Sequence, residues 1–307
     1  MRVLVAGASG AVGIRLIRML VAAGHRVTGL TRSPSKAEPL RRAGATLVVV
    51  DALDPPALRE AVLGAQPEVV VHEMTSLADA TDLRQFDRAF AQTNRLRTEG
   101  LDHLLGAARE VGASEVVAQS YCGWPFARVG GPVKTEDDPL DSRPPREFQR
   151  SLEAIRHLES SVTEATEFEG VVLRYGAFYG PGSGLFDGSA LDQLRRRLFP
   201  VIGDGGGWWS FVHLDDAAEA TARAIESGPR DLQCRGRRSR AGPRLASGPC
   251  GDDRGKAAAT HSAVACSLPS RRAYGRDDDG NSSWIKREGA KGARMASRSR
   301  LVAARFC

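Results

Sequence analysis

Residues 2–13 read R-V-L-V-A-G-A-S-G-A-V-G, and this stretch decides the fold. A short apolar run that ends in glycine is typical of a strand buried in a parallel sheet. Gly24 closes the segment that follows. Apolar residues recur in that segment at the spacing of one helix face: Ile14, Ile17, Leu20 and Val21. The sequence therefore predicts a strand over 2–7, a glycine-rich turn and a helix over 14–23.

The glycines of this turn suit a phosphate ligand. Gly7 permits a tight turn, Gly10 lets a pyrophosphate approach the backbone, and Gly13 lets the helix pack closely on the strand. The helix N-terminus adds free N–H groups and the positive end of the helix dipole. The alternative is a glycine-rich turn without a ligand, but the strand–turn–helix context favours nucleotide binding. The predicted cofactor contacts in this turn are Gly7, Ser9, Gly10, Ala11, Val12 and Gly13.

Buried apolar runs alternate with segments of helical spacing after this turn. The further predicted strands are 25–30, 46–50, 67–72, 115–119 and 170–174. The further predicted helices are 34–43, 56–63, 86–111 and 146–163. Such alternation indicates an α/β fold, a Rossmann-like doubly wound parallel sheet. We expect a dinucleotide-binding domain over 1–175, followed by a small, incomplete substrate-side lobe over 176–230.

The charge of the chain is unevenly distributed. Its 307 residues include 43 Lys and Arg against 37 Asp and Glu, a formal net charge of +6. Residues 1–230 hold 26 basic and 30 acidic side chains, whereas residues 231–307 hold 17 and 7. Only eight Leu, Ile, Val and Phe residues lie in those last 77 residues, too few for a core. We therefore predict a disordered, basic tail over 231–307 and a mildly acidic folded part before it.

Several protein classes are excluded by the composition. No apolar run approaches the roughly 18 residues that a membrane-spanning helix needs. The first residues lack the apolar region of a signal peptide before the glycines begin. Five cysteines without a secretory context do not form a disulfide scaffold. We expect a cytoplasmic protein with a small-molecule substrate and no membrane partner.

The end of the second predicted strand bears on the choice between NAD and NADP. An acidic residue there hydrogen-bonds the 2′-hydroxyl of NAD, whereas a basic residue accommodates the 2′-phosphate of NADP. This sequence has Thr31, Arg32 and Ser33 at that place and no acidic residue before Glu38. A guanidinium can bind phosphate in a bidentate way. We therefore predict that NADP is preferred over NAD, the alternative being that Arg32 is a solvated loop charge.

Motifs spread over the first 230 residues resemble those of a known family. They are G-A-S-G-A-V-G at 7–13, V-V-V-D-A at 48–52, V-V-V-H at 69–72, T-N at 93–94, V-V-A-Q-S at 116–120, V-L-R-Y-G-A-F-Y-G-P-G at 172–182 and F-V-H-L-D-D at 211–216. Together they resemble the extended short-chain dehydrogenase/reductase superfamily, in its NAD(P)-dependent epimerase/dehydratase family. The motifs occur in the family's order, which is more specific than any one of them.

This resemblance implies roles for residues outside the glycine turn. Asp51 and Ala52 would lie beside the adenine of the cofactor, and Asn94 would support the region of the fourth strand. Ser120 would approach the nicotinamide. Tyr175 would line the nicotinamide and substrate side of the site.

The resemblance breaks at the catalytic residues. The family usually carries Tyr-x-x-x-Lys on the helix after the fifth strand, where the cation lowers the pKa of the phenol. If Glu159 matches the family's helix glutamate, Ser151 stands at the tyrosine position and Ile155 at the lysine position. None of the four tyrosines has a lysine four residues later. We predict Ser120 and Tyr121 as the catalytic substitutes, with two later tyrosines and the Cys122 thiol as open alternatives.

The tail lacks the family's C-terminal motifs, which resemble Y-N-V-x-D-D, S-N-x-K-A and W-R-x-G-F. Read one base later with permitted codons, it can give TYNVVDDEAGPVRDWLPALA from 231, MTTEIRRGSNAKAQKAREWQ from 277 and WRRGF from 302. Three family-like matches in one frame indicate a frameshift, natural or introduced in sequencing. The alternative is a basic arm that binds nucleic acid through phosphates, but it lacks interleaved aromatic residues. We therefore expect no nucleic-acid partner.

Three functions remain open at this point. The first is an NAD(P)-dependent oxidoreductase or epimerase for a small carbonyl or sugar-type substrate, with its activity impaired by the missing Tyr-x-x-x-Lys residues. The second is a non-catalytic sensor that binds NADP(H), and the third is nucleic-acid binding through the tail. An incomplete substrate-side lobe should leave apolar surface over 180–230 uncovered, which favours association as a homodimer or a loss of stability.

Overall fold

The structure is a computed structural model that describes residues 1–77, 85–131, 133–183, 195–196, 208–231, 261–263 and 300–302. Its strands are β1 (Arg2–Ala6), β2 (Arg26–Thr31), β3 (Thr46–Val49), β4 (Val69–His72), β5 (Glu115–Tyr121), β6 (Glu169–Tyr175), β7 (Ala177–Tyr179), β8 (Trp208–His213), β9 (His261–Ala263) and β10 (Arg300–Val302). The order of the larger sheet is β3-β2-β1-β4-β5-β6-β10, and all of its pairs are parallel. The predicted Rossmann-like doubly wound sheet is confirmed.

The helices of the described residues are α1 (Ala11–Ala22), α2 (Ala37–Arg42), α3 (Pro55–Ala65), α4 (Phe86–Ala89), α5 (Ala91–Arg97), α6 (Glu99–Glu110), α7 (Gln149–Thr163) and α8 (Leu214–Asp231). Short 3₁₀ turns precede α2 and α7. The single helix predicted over 86–111 is wrong, because the chain forms α4, α5 and α6 there. Thr98 interrupts it with a ψ of −88°, outside the helical range. The apolar period continues across this break, so the spacing alone does not show it.

Helices cover both faces of the sheet. Alternate residues of β1 point to opposite faces, so Val3 and Val5 join one apolar cluster while Leu4 and Ala6 join the other. The first cluster also contains buried residues of α1 and α8, and the second contains residues of α3, α6 and α7. Burial on both faces explains why the strands have continuous apolar sequences rather than alternating ones.

The strand order reverses at β1. The chain pairs β1 with β2 on one side and then returns to place β4 on the other, with Val3 opposite both Val27 and Val69. The connections after β1 and β4 therefore leave the sheet on opposite sides. A crevice opens between their carboxyl ends, and ligands of doubly wound sheets bind in this position.

A smaller parallel sheet of order β7-β8-β9 adjoins the larger one. Of residues 232–307 the structure describes only 261–263, which pair with β8, and 300–302, which pair with β6. The predicted disorder and frameshift concern a tail that lies otherwise outside the described residues, and they stay predictions. The same is true of the proposed domain division. Among the described residues, no helix is both long and apolar enough to cross a membrane.

Candidate functional site

The turn between β1 and α1 lies in the crevice, and its glycines are enforced by close backbone contacts. Gly7 has a φ of +96°, and a Cβ there would lie 2.5 Å from the carbonyl oxygen of Glu73. A Cβ at Gly13 would clash with the Gly7 carbonyl oxygen and would lie 2.9 Å from the carbonyl oxygen of Ala8. Only hydrogen fits at these two positions. The predicted roles of Gly7 in a tight turn and of Gly13 in close helix packing match this geometry.

The N-terminus of α1 is open to a ligand. Gly10 is the N-cap and has no side chain with which to cap the helix. The N–H groups of Ala11, Val12 and Gly13 donate to none of the described residues, although Val12 and Gly13 are buried. Such N–H groups and the positive end of the helix dipole bind phosphate. The residues present therefore fit the pyrophosphate of a dinucleotide.

The end of β2 carries the predicted 2′-phosphate residue. Ser9 Oγ lies 2.7 Å from Thr31 Oγ1, and the Ser33 amide donates to the same Thr31 oxygen at 3.1 Å. These bonds tie the glycine turn to the segment that carries Arg32. The Arg32 side chain is exposed, and its contact is a long hydrogen bond of 3.5 Å to Ser76 Oγ. The Arg32 side chain can therefore turn towards a phosphate with little loss of interaction energy.

The predicted adenine residues follow β3 on the neighbouring side of the crevice. Asp51 is exposed, and one of its carboxylate oxygens accepts a hydrogen bond from the Leu53 amide at 3.0 Å. Ala52 is buried, and its carbonyl oxygen lies 3.1 Å from Nδ1 of His103. The second carboxylate oxygen of Asp51 remains open to solvent or a ligand.

Ser120 lies near the carboxyl end of β5 in a buried polar network. Its hydroxyl donates to Glu159 at 2.6 Å. Arg174 on β6 donates to both oxygens of the same carboxylate, at 2.8 and 2.7 Å. The proton of Ser120 is thus held by Glu159, and a bidentate ion pair fixes that carboxylate. This network supports the end of β5, and the Ser120 hydroxyl is not free to donate a proton to a substrate.

If Glu159 matches the family's helix glutamate, the positions of the family's tyrosine and lysine are inside this protein. Ser151 is 0% exposed, and its amide and hydroxyl donate to Asp87 at 2.9 and 2.6 Å. Asn94 donates to the Ser151 hydroxyl at 3.0 Å, so this predicted residue binds the first turn of α7. Ile155, one turn later, packs in the core. Ile155 has no proton to relay, and the Ser151 hydroxyl proton is held by Asp87.

Tyr121 is the last residue of β5, and Arg97 is the last residue of α5. Burial raises the pKa of Tyr121 to about 12 despite the opposing effect of the nearby Arg97 charge. Arg97 was not predicted from the sequence. It ends α5, is 7% exposed, and burial lowers the pKa of its guanidinium to about 10, so it stays charged at neutral pH. Its spacing of four residues from Leu101, on the apolar face of the predicted helix, was a usable signal.

A second unpredicted group lies on the other side of the glycine turn. Glu73 follows β4 and is buried, which raises the pKa of its carboxyl to about 8. Thr221 of α8 donates to one of its oxygens at 3.3 Å, and the other is buried without a partner among the described residues. The Tyr175 hydroxyl lies 2.8 Å from the same Thr221 hydroxyl and donates to the Ala217 carbonyl. Tyr175 is 2% exposed, so it packs in the core beneath the site.

An aromatic cluster includes Trp124, three residues after Tyr121 in the chain. It consists of Phe86, Phe90, Trp124 and Phe148. Phe86 stacks on Phe90 with ring centroids 4.1 Å apart, and Trp124 packs edge-on against Phe86 at 5.3 Å. All but Phe86 are partly exposed. The cluster joins the segments that follow β5 and precede α7, and it offers planar surface to an aromatic ligand.

Comparison with known proteins adds family information to this geometry. Residues 3–234 match the model of a family described as "NAD dependent epimerase/dehydratase family". The chain is 45% identical over 230 residues to a 3-diazoavenalumate denitrifying reductase of a Streptomyces species, covering 74% of this chain and 73% of that protein. It is 28% identical over 241 residues to a 2-alkyl-3-oxoalkanoate reductase of Stenotrophomonas maltophilia, covering 77% and 69%.

Solved structures give the same architecture. The UDP-glucose 4-epimerase of Thermus thermophilus, solved in complex with NAD, has a TM-score of 0.59 to this chain. The two are 28% identical, and the match covers 73% of this chain and 74% of that one.

Proposed function

This chain belongs to the NAD dependent epimerase/dehydratase family, and on that premise we propose that it is an NAD(P)-dependent reductase for a substrate that accepts hydride without a proton. One observation supports this most directly. The cofactor turn is complete, whereas Ser151 and Ile155 are buried at the positions of the proton relay. A site of this kind suits an electrophile whose reduction needs no general acid.

An aromatic diazo compound is the substrate class that we propose. Its support is the 45% identity to a reductase whose name specifies a diazo substrate and denitrification. A reduced nicotinamide cofactor would supply hydride in this site, and the net reaction of an arenediazonium cation with hydride gives the arene and N₂. Charge and atoms balance without a proton. A carbonyl substrate, by contrast, yields an alkoxide that must be protonated.

The residues of the chain then have orienting roles. The aromatic cluster offers a surface on which a planar ring can stack beside Tyr121. Tyr121, whose pKa is about 12, stays neutral at ordinary pH and can donate a hydrogen bond without becoming a base. Ser120 and Glu159 hold the end of β5 in place. None of these groups has to transfer a proton.

NADP is the cofactor form that we propose, as the sequence predicts. The support is the exposed guanidinium of Arg32 at the end of β2, in a segment with no carboxylate that would repel a 2′-phosphate. Asp51 and Ala52 would lie at the adenine, and the N-terminus of α1 would hold the pyrophosphate.

The test is turnover with deuterated NADPH, in which deuterium occupies the transferable position. We expect 4-carboxybenzenediazonium to yield deuterated benzoate and N₂ well above the rate without enzyme. A panel of ketones and keto sugars should react at least about 100-fold more slowly, which is the loss expected without a general acid. Faster reduction of a ketone would overturn the diazo assignment in favour of the carbonyl or sugar-type substrate.

A non-catalytic sensor of NADP(H) is the second candidate, and the buried Ser151 and Ile155 favour it as well. The same experiment separates the two. If NADPH binds but neither the diazo compound nor any carbonyl is reduced above background, the protein is a sensor.

A further inference from the structure

We propose that Arg97 binds the carboxylate of the substrate in the proposed reductase site. This proposal rests on the proposed function for its substrate, but it concerns an equilibrium binding step and can be tested without turnover. Arg97 is only 7% exposed, and its guanidinium forms no hydrogen bond or ion pair with any described residue. Buried charges in proteins are almost always paired, so a buried cation of this kind calls for a ligand.

The charges around Arg97 do not balance. Arg97 and Arg174 supply two positive charges, and Glu159 supplies one negative charge within electrostatic reach of Arg97. Both oxygens of Glu159 are already occupied by Arg174, with Ser120 donating to one of them. Glu159 therefore attracts Arg97 without forming a hydrogen bond to it. Among the described residues, no further anion lies within electrostatic reach of Arg97.

The position of Arg97 is fixed by its helix. The Leu96 carbonyl oxygen lies 3.1 Å from Nε2 of His72 at the end of β4, and Asn94 donates to Ser151 of α7. The Ser76 amide after β4 donates to Thr93 at 3.0 Å. The last turn of α5 is thus held against the carboxyl edge of the sheet, where Tyr121 ends β5.

The other titratable groups near Arg97 in the described part of the chain supply no anion. Burial keeps His72 neutral, because its pKa falls to about 4. Tyr121 is neutral at ordinary pH, because burial raises its pKa to about 12. A guanidinium presents a planar fork that matches the two oxygens of a carboxylate, so this anion is the best match in shape as well as charge.

The experiment measures the binding of 4-hydroxycinnamate and of its methyl ester to the NADP⁺-loaded full-length protein by calorimetry. We expect the acid to bind at least tenfold more tightly than the ester, which lacks the charge. In Arg97→Met the acid should bind at least tenfold more weakly while the ester and NADP⁺ keep their affinities. Arg97→Lys should recover part of the loss, because it restores the charge without the fork.

Arg95→Met is the matched control. Arg95 lies on the same helix, but it is exposed and paired with Glu99. Its removal should leave the binding of both probes unchanged. Thermal melting of each variant establishes whether it is folded. If Arg97→Met does not fold, the binding of the acid and the ester is compared in Arg97→Lys.

Three results would overturn the proposal. One is equal binding of the acid and the ester, and another is no binding of the acid at millimolar concentration. The third is a loss of NADP⁺ affinity in Arg97→Met with acid binding unchanged, which would assign Arg97 to the cofactor. Failure of the proposed function looks different: the acid binds through Arg97, but no diazo compound is reduced.

Discussion

The β1–α1 turn and the first turn of α7 serve the same site, but they differ in which atoms bind or react. In the first, Gly7 and Gly13 create space, and backbone N–H groups are the binding groups. In α7, the family relies on two side chains, and this chain has Ser151 in the first turn and Ile155 one turn later, both buried. Phosphate binding by backbone N–H groups needs glycine at specific positions and tolerates no other residue there. A catalytic side chain, by contrast, can be replaced by another residue type or supplied from another position. A complete cofactor turn therefore does not guarantee the family's usual reaction.

Restoring the family's tyrosine and lysine on α7 should have the largest effect and tests the contrast between this helix and the glycine turn. In the double variant Ser151→Tyr with Ile155→Lys, a ring must enter a filled site and a charge must enter the core. We expect a loss of more than about 3 kcal/mol in the free energy of unfolding and no new carbonyl reduction. Chemical denaturation and NADPH oxidation with a ketone measure the two outcomes.

Glu153→Lys provides the control on the same helix. Glu153 is exposed, so its replacement should change stability by less than about 0.5 kcal/mol. A double variant that is as stable as the parent and reduces ketones would show that the site of α7 is intact and lacks only its two residues.

Gly13→Ala tests the backbone side of the comparison. The added methyl group would meet the carbonyl oxygens of Gly7 and Ala8, so the turn must open. We expect a loss of about 1–3 kcal/mol in stability and at least tenfold weaker NADP⁺ binding by fluorescence titration. Gly64→Ala on α3 is the control, since a Cβ there meets no atom within 4 Å. Its stability should rise slightly. Undiminished cofactor binding in Gly13→Ala would contradict the role of the close helix packing.

Arg32→Ala should have the smallest effect. Because Arg32 is exposed and would contact only the 2′-phosphate, we expect roughly tenfold weaker NADP⁺ binding and unchanged NAD⁺ binding. Arg26→Ala, at the opposite end of β2, should change neither. Equal losses for the two cofactors would mean that Arg32 supports the loop rather than reading the phosphate.

The parts that the sequence predicts are those set by local pattern. Continuous apolar runs locate β1, β4, β5 and β6 because these strands are buried on both faces. The glycine spacing locates the turn because Gly7 and Gly13 each have a backbone neighbour that excludes a side chain. These features need no knowledge of distant segments.

The parts that the sequence does not predict depend on contacts between distant segments. Arg97 looks like an ordinary helix cation until the packing of α5 against α7 and the sheet shows it to be buried. Glu73 looks like a strand-end residue, but α8, about 150 residues later, encloses it. The break at Thr98 likewise arises within an unbroken apolar period.

Glu73 also has a consequence for how the protein is handled. Its carboxyl pKa is about 8 in the folded protein against an ordinary 4.5, so between these values the folded chain keeps a proton that the unfolded chain releases. The stability contributed by this proton is complete below about pH 4.5 and is lost as the pH rises to 8. Glu115 shifts in the same direction. Alkaline purification buffers would therefore weaken the attachment of α8 behind the glycine turn, and a buffer near pH 6 should retain more of this stability.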